Sequence, residues 1–202
     1  MSTIAKRAGY LIVGIAAILL VAAAFQPIQC WAATYPENEG LTEQEVQDRF
    51  REINSTYDIG EAFNASDAEF VLTYGINPDS PSTRDSKYFH TSGTGSGTTV
   101  QASGTLYHNG TFNYTYGGNI TISKSNGPTP RNLKLTVHCT AYGPVGSGGV
   151  GIIYNDGVST SKANSAYFSA SPSRTYSGVM TVYSLEAWVD VTTASGNMFT
   201  IR

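Results

Sequence analysis

Along residues 185–191 apolar and polar side chains alternate: Leu185, Ala187, Val189 and Val191 on one parity, Glu186, Trp188 and Asp190 on the other. A period of two is that of a strand with one buried face. This run belongs to the longest strand-like stretch in the chain, residues 178–193. Upstream its apolar positions, Met180 and Val182, sit on the opposite parity, so the phase slips near Tyr183 and Ser184, as at a β-bulge. Shorter alternating runs occur at 87–91, 98–108, 111–123, 133–142, 150–155, 158–161, 166–170 and 198–202. Asn109-Gly110 and Asp156-Gly157 stand between such runs and predict two-residue hairpin turns, whose central positions both need positive φ. The predicted fold class is mainly β: an antiparallel β-sandwich, Ig-like or jelly-roll-like, over residues 87–202.

Ahead of it the period changes to that of a helix. Thr42 and Glu45 form a capping box ahead of Val46, Phe50 and Ile53, which predicts a helix over 42–54. Ser66 and Glu69 repeat the device for a second helix that carries Phe70, Val71 and Tyr74 and stops at Gly75, a residue suited to a left-handed cap. Tyr57, Ile59 and Phe63 between them predict anchors onto the β-domain. Residues 76–86, with Pro78 and Pro81, read as a linker.

Lys6 and Arg7, fifteen apolar or small residues over 11–25, and small residues near Ala32 form the pattern of a secretory signal peptide over residues 1–32, cleaved after Ala32. The apolar block spans about 22 Å as a helix, short of the roughly 30 Å hydrocarbon layer. A secreted, extracellular protein with no stable membrane insertion is expected. In style, the alanine-rich leader and scarce cysteine resemble Gram-positive bacterial exoproteins. Cleavage would remove two positive charges, taking the net charge from -3 to -5, the wrong sign for a nucleic-acid partner. It would also remove Cys30 and leave Cys139 alone on the apolar side of its strand.

Charge is divided unevenly. Residues 34–75 hold ten acids against Arg49 and Arg51, a charge of -8, and residues 76–202 hold five acids against eight bases, +3. The helices are therefore expected to be attracted to the β-domain, either as a lid over an open edge or as a propeptide released at the linker.

Catalytic chemistry is sparse. His138 and Cys139 are adjacent on a strand and point to opposite faces, so they cannot form a thiol dyad. The three histidines show no short metal-ligand spacing. Glu186 and Asp190 lie about 13 Å apart along a strand, beyond the roughly 5–9.5 Å of glycosidase carboxylate pairs. The glycine-rich stretches 92–97 and 143–151 lack the lysine and following helix of phosphate loops and read as surface turns. No catalytic residue, cofactor or metal is expected. What remains is recognition: Trp188 can stack on a pyranose while Glu186 and Asp190 accept from sugar hydroxyls. Tyr107, Tyr114 and Tyr116 form an aromatic face of one hairpin. The sequence thus points to a non-catalytic module binding a surface glycan or cell-envelope polymer. A structural or protein-interaction domain, with the same aromatics meeting a protein partner, is the alternative; a membrane-active, toxin-like β-protein is a lesser one.

Overall fold

The computed structural model describes residues 35–78, 87–146 and 148–202. The signal peptide and most of the linker expected from the sequence lie outside the described residues. Residues 35–202 group as one compact unit, mainly β, with two helices and two antiparallel sheets.

Helix α1 spans Glu43–Thr56 and α2 spans Ala65–Tyr74. The capping box of α1 forms as expected: the Thr42 side chain accepts from the Glu45 amide while the Glu45 carboxylate accepts from the Thr42 amide. Helix α2 departs from expectation at both ends. Asn64, not Ser66, caps it by accepting from the Asp67 amide, and Glu69 instead accepts from the Tyr35 amide and the Asn38 side chain. Gly75 ends the helix in an extended conformation, φ -67°, not a left-handed one. The chain leaves directly into a single strand-like pairing of Ile76 with Tyr183.

The strands are β1 (Lys87–Gly95), β2 (Thr98–Asn109), β3 (Asn113–Asn126), β4 (Asn132–Val145), β5 (Gly149–Ala163), β6 (Tyr167–Ala170), β7 (Ser173–Ser177), β8 (Val182–Thr192) and β9 (Met198–Ile201). One sheet runs β1-β2-β3, with β6 and β7 sharing the far side of β3; the other runs β5-β4-β8-β9. Their inner faces share one buried cluster that includes Val100, Leu106 and Ile122 from the first sheet and Leu135, Val137 and Val189 from the second. Cys139 is fully buried within it.

Neither predicted Gly-turn forms as a two-residue hairpin. Gly110 takes positive φ, 116°, but Asn109 does not, and the pair Asn109↔Thr115 leaves a longer loop. Asp156-Gly157 is no turn at all, because β5 runs straight through it, pairing Cys139↔Asp156 and His138↔Gly157. The tight turn lies instead at Ser96-Gly97, where both residues have positive φ, 47° and 75°, between paired Gly95 and Thr98.

The expected bulge near Tyr183 is also absent, since β8 pairs with β4 without a register shift from Val182 to Thr192. The phase slip has another cause. Val182 faces away from the inter-sheet core and, with Tyr142 and Ile152, is buried under Phe50, Ile53, Phe70 and Val71 of the helices. At this end the second sheet is covered on both faces, so both parities are apolar. Tyr142 also donates to the Asn54 side chain at 2.8 Å, and Asn54 donates to Thr140 at 3.0 Å. Between the helices Tyr57 and Phe63 pack edge to face, 4.9 Å apart, against this cluster, whereas Ile59 is exposed and anchors nothing. Among the described residues only Lys87–Glu43 pairs in the expected sense, at the surface, and Arg51–Glu186 runs the opposite way, so the ion pairs described there contribute little.

Candidate functional site

Because β8 is regular, Ser184, Glu186, Trp188 and Asp190 all project from the outer face of the second sheet. The register sets them beside Thr140, His138, Thr136 and Lys134 of β4. The short turn after β8 brings β9 back alongside, so that Thr200 lies opposite Asp190 and Arg202 follows. Trp188 is half-buried in the middle of this face and is not part of the cluster beneath the helices. The Arg202 guanidinium lies 5.0 Å over its ring, and His138 stands 6.1 Å away. Glu186 is held by two cations, Arg51 at 3.2 Å and Arg202 at 3.8 Å. Asp190 accepts from Thr200 at 2.7 Å, and Thr136 and Ser159 share a hydrogen bond of 2.9 Å. The result is one aromatic ring set in a flat field of hydroxyls, carboxylates and guanidinium groups. Burial holds His138 below its usual pKa against the opposing pull of Glu186 and Asp156, so at neutral pH its imidazole is uncharged.

Three expected contact residues do not join it. Tyr114 and Tyr116 are buried between the sheets, 4% and 0% exposed, so the aromatic side of that hairpin faces inward. There Tyr116 donates to the Asp156 carbonyl at 3.0 Å, and Tyr154 stacks on Tyr176 at 4.1 Å. Tyr107 lies on the outer surface of the other sheet, its hydroxyl over Gly117. Sequence parity correctly paired Tyr114 with Tyr116 but assigned the pair to the wrong side, because a tyrosine can fill a core when its hydroxyl finds a partner.

His138 and Cys139 face opposite sides of β4, as expected. Burial pushes the Cys139 thiol up to about 12. His90 is at the surface of β1 beside Tyr88, and His108 is inside the body. Among the described residues no three His, Cys, Asp or Glu side chains come together as a metal site, and no helix is long and apolar enough to cross a membrane.

No protein-family model matches the chain, and no curated protein matches it.

Sequence reasoning missed Arg51 and Arg202. Arg202 had a signal: a strand returning antiparallel after a short turn must set its last residues beside the middle of β8. Arg51 had none, since its approach depends on how α1 seats. Also unforeseen were two adjoining clefts between α1 and the start of β1, of about 320 and 430 Å³. Both are bordered by Glu43, Gln47, Lys87 and Leu185.

Proposed function

We propose that this chain is an exported, non-catalytic binding module of β-sandwich architecture whose outer β4–β8 face takes a surface glycan or cell-envelope polymer. The observation that carries the reading is Trp188: a large ring on an outer sheet face, outside both apolar clusters, with Glu186, Asp190, Thr136 and Arg202 around it. An aromatic surrounded by groups that donate and accept suits a ligand with apolar ring faces and hydroxyl edges, which is what a sugar offers. A single sugar face on one ring is a weak contact, so affinity would come from several such contacts along a polymer.

The test is retention on insoluble peptidoglycan, cellulose and mucin. Trp188→Ala is expected to release a protein that the wild type keeps bound. Equal retention of both, or binding to none of the three, overturns the reading. A second reading, a protein-interaction domain of the cell surface, is favoured by a separate observation. Phe112 and Val179 are 57% and 65% exposed, and their loops are joined by the Gly178 amide donating to the Phe112 carbonyl at 3.2 Å. Two neighbouring apolar side chains in water are a feature of contact surfaces.

A further inference from the structure

Five tyrosines stand in or against the inter-sheet core, Tyr114, Tyr116, Tyr154, Tyr176 and Tyr183, where phenylalanine would fill nearly the same space with no hydroxyl to satisfy. Two of the hydroxyls bond to carbonyl oxygens, Tyr114 donating to Thr111 and Tyr116 to Asp156. Tyr176 differs. Its hydroxyl lies 2.8 Å from Nε2 of His108, and both side chains are 7% exposed. The imidazole also bonds to its own backbone in a contact that raises its pKa and is therefore a donation. Burial nevertheless lowers the His108 pKa to about 4, so at pH 7 the ring is neutral and has a single N–H. That N–H is spent on the backbone carbonyl, and Nε2 accepts from Tyr176. The Met180 thioether, 3.2 Å from the same hydroxyl, is the weaker acceptor. The Cys139 thiol touches Tyr176 as well, but burial holds it protonated, so it is no base.

A buried phenol held on a base is set up for one-electron oxidation. Burial pushes Tyr176 far above its usual pKa, so it cannot first shed its proton and react as a tyrosinate. An oxidised phenol, however, is a strong acid, and Nε2 is within hydrogen-bond reach to take the proton as the electron leaves. The imidazolium that results sits between Tyr183, stacked at 4.0 Å, and Tyr114, stacked at 5.2 Å, whose ring faces attract a cation. A path outward exists too. The Tyr154 ring lies on Tyr176 at 4.1 Å with the planes 8° apart, and it is partly exposed beside the surface ion pair of Arg174 and Asp156. The Tyr154 hydroxyl faces the Tyr116 hydroxyl at 3.2 Å and Arg174, neither of which is a base, so Tyr154 passes an electron without keeping the radical.

We propose that Tyr154, Tyr176 and His108 form a proton-coupled redox relay that draws oxidising equivalents from small diffusible radicals into the core. The radical takes one electron at Tyr154 and is reduced to its closed-shell anion. Tyr176 replaces that electron and loses its phenolic proton to His108 Nε2. The products are a neutral phenoxyl on Tyr176 and an imidazolium on His108. A one-electron reductant reverses both transfers, returning the electron to Tyr176 and the proton from Nε2 to its oxygen. Enclosed by the two sheets, this phenoxyl cannot meet a second one and couple, as radicals on the exposed Tyr88 and Tyr167 do. The activity goes beyond binding at the Trp188 face and does not rest on it.

The test uses the full chain and azide radicals made by pulse radiolysis, followed by phenoxyl absorption and by high-field EPR of freeze-quenched samples. The wild type should give a phenoxyl that outlives the one formed on N-acetyltyrosinamide at least tenfold, shows a nitrogen coupling that changes when histidine is isotopically labelled, and disappears on adding ascorbate. In Tyr176→Phe, and separately in His108→Phe, that long-lived signal should be lost while the short-lived radicals of exposed tyrosines remain. Tyr154→Phe should slow its formation at least tenfold. A phenoxyl no longer lived than that of the free amide overturns the proposal, as does a long-lived one that persists in Tyr176→Phe. Should either core variant fail to fold, the wild-type spectrum decides alone: a long-lived phenoxyl without the histidine coupling sits on another tyrosine and overturns the proposal. Trp188→Ala should leave the signal unchanged, and its loss there would make Trp188 the point of entry and overturn the role given to Tyr154.

Discussion

Acid should act on this fold through His108. The ring lies inside the two-sheet body, 7% exposed, stacked 4.0 Å from Tyr183 and hydrogen-bonded through Nε2 to the Tyr176 hydroxyl at 2.8 Å. Burial lowers its pKa from 6.5 to about 4, opposed by a backbone hydrogen bond. Above pH 6.5 the imidazole is neutral folded or unfolded, and stability does not depend on it. Below that the unfolded chain takes up a proton that the folded ring refuses, so stability falls with pH until the folded ring also titrates near 4, and then levels. At roughly 1.4 kcal/mol per unit, the full loss is about 3 kcal/mol, of which about 2 kcal/mol is reached by pH 5. That is a large part of the roughly 5–15 kcal/mol typical of a domain. The assay is urea unfolding at pH 7 and pH 5 for the wild type and His108→Phe, which keeps an aromatic stack and cannot titrate. His138, also held low by burial, contributes in the same direction to both proteins and cancels. The wild type should lose about 2 kcal/mol more than the variant between the two pH values. A difference below about 0.5 kcal/mol, the usual scatter of such comparisons, would refute the reasoning.

Other outcomes follow from the packing. Phe50→Ala removes a ring that meets Phe70 edge to face at 4.9 Å beneath the helices, and should cost about 3–5 kcal/mol in urea unfolding; a loss under about 1 kcal/mol would mean that the helices contribute little to the fold. At Gly151 a Cβ would come within 2.0 Å of the Glu61 carbonyl oxygen. Gly151→Ala should therefore lift the inter-helix loop off β5, seen as faster hydrogen exchange at the Gly60 and Phe63 amides, which donate to Ile152 and Val150. Cys139, fully buried with its thiol pushed up to about 12, should react with a thiol reagent at pH 8 only as fast as the protein opens.

The sequence makes most of the strands legible because each buries one parity, and α1 legible because a capping box and a 3.6 period coincide, whereas the box that predicts α2 does not form. It misleads where one element serves two neighbours. Val182 breaks the alternation because a helix pair covers the far side of its strand, and one-dimensional parity cannot distinguish a second covering layer from a bulge. Asp156-Gly157 has the composition of a turn, yet Gly157 sits in mid-strand where a Cβ would meet the His138 ring at 3.2 Å. The two-residue turn went instead to Ser96-Gly97. At the candidate face, Glu186, Trp188 and Asp190 share one side as their spacing requires, while the cations around them come from segments whose approach is set by tertiary packing.

The double coverage of β4 and β8 at one end also bears on how the chain is made. Residues 34–75 emerge from the ribosome before the strands that seat them exist, and their -8 charge keeps that waiting segment hydrated and unclumped. Without the helices, Tyr142, Ile152 and Val182 would form a greasy saddle on the outer side of the second sheet. A chain clipped between α2 and β1 that lost its helices would carry that saddle uncovered, and such molecules would stick to one another.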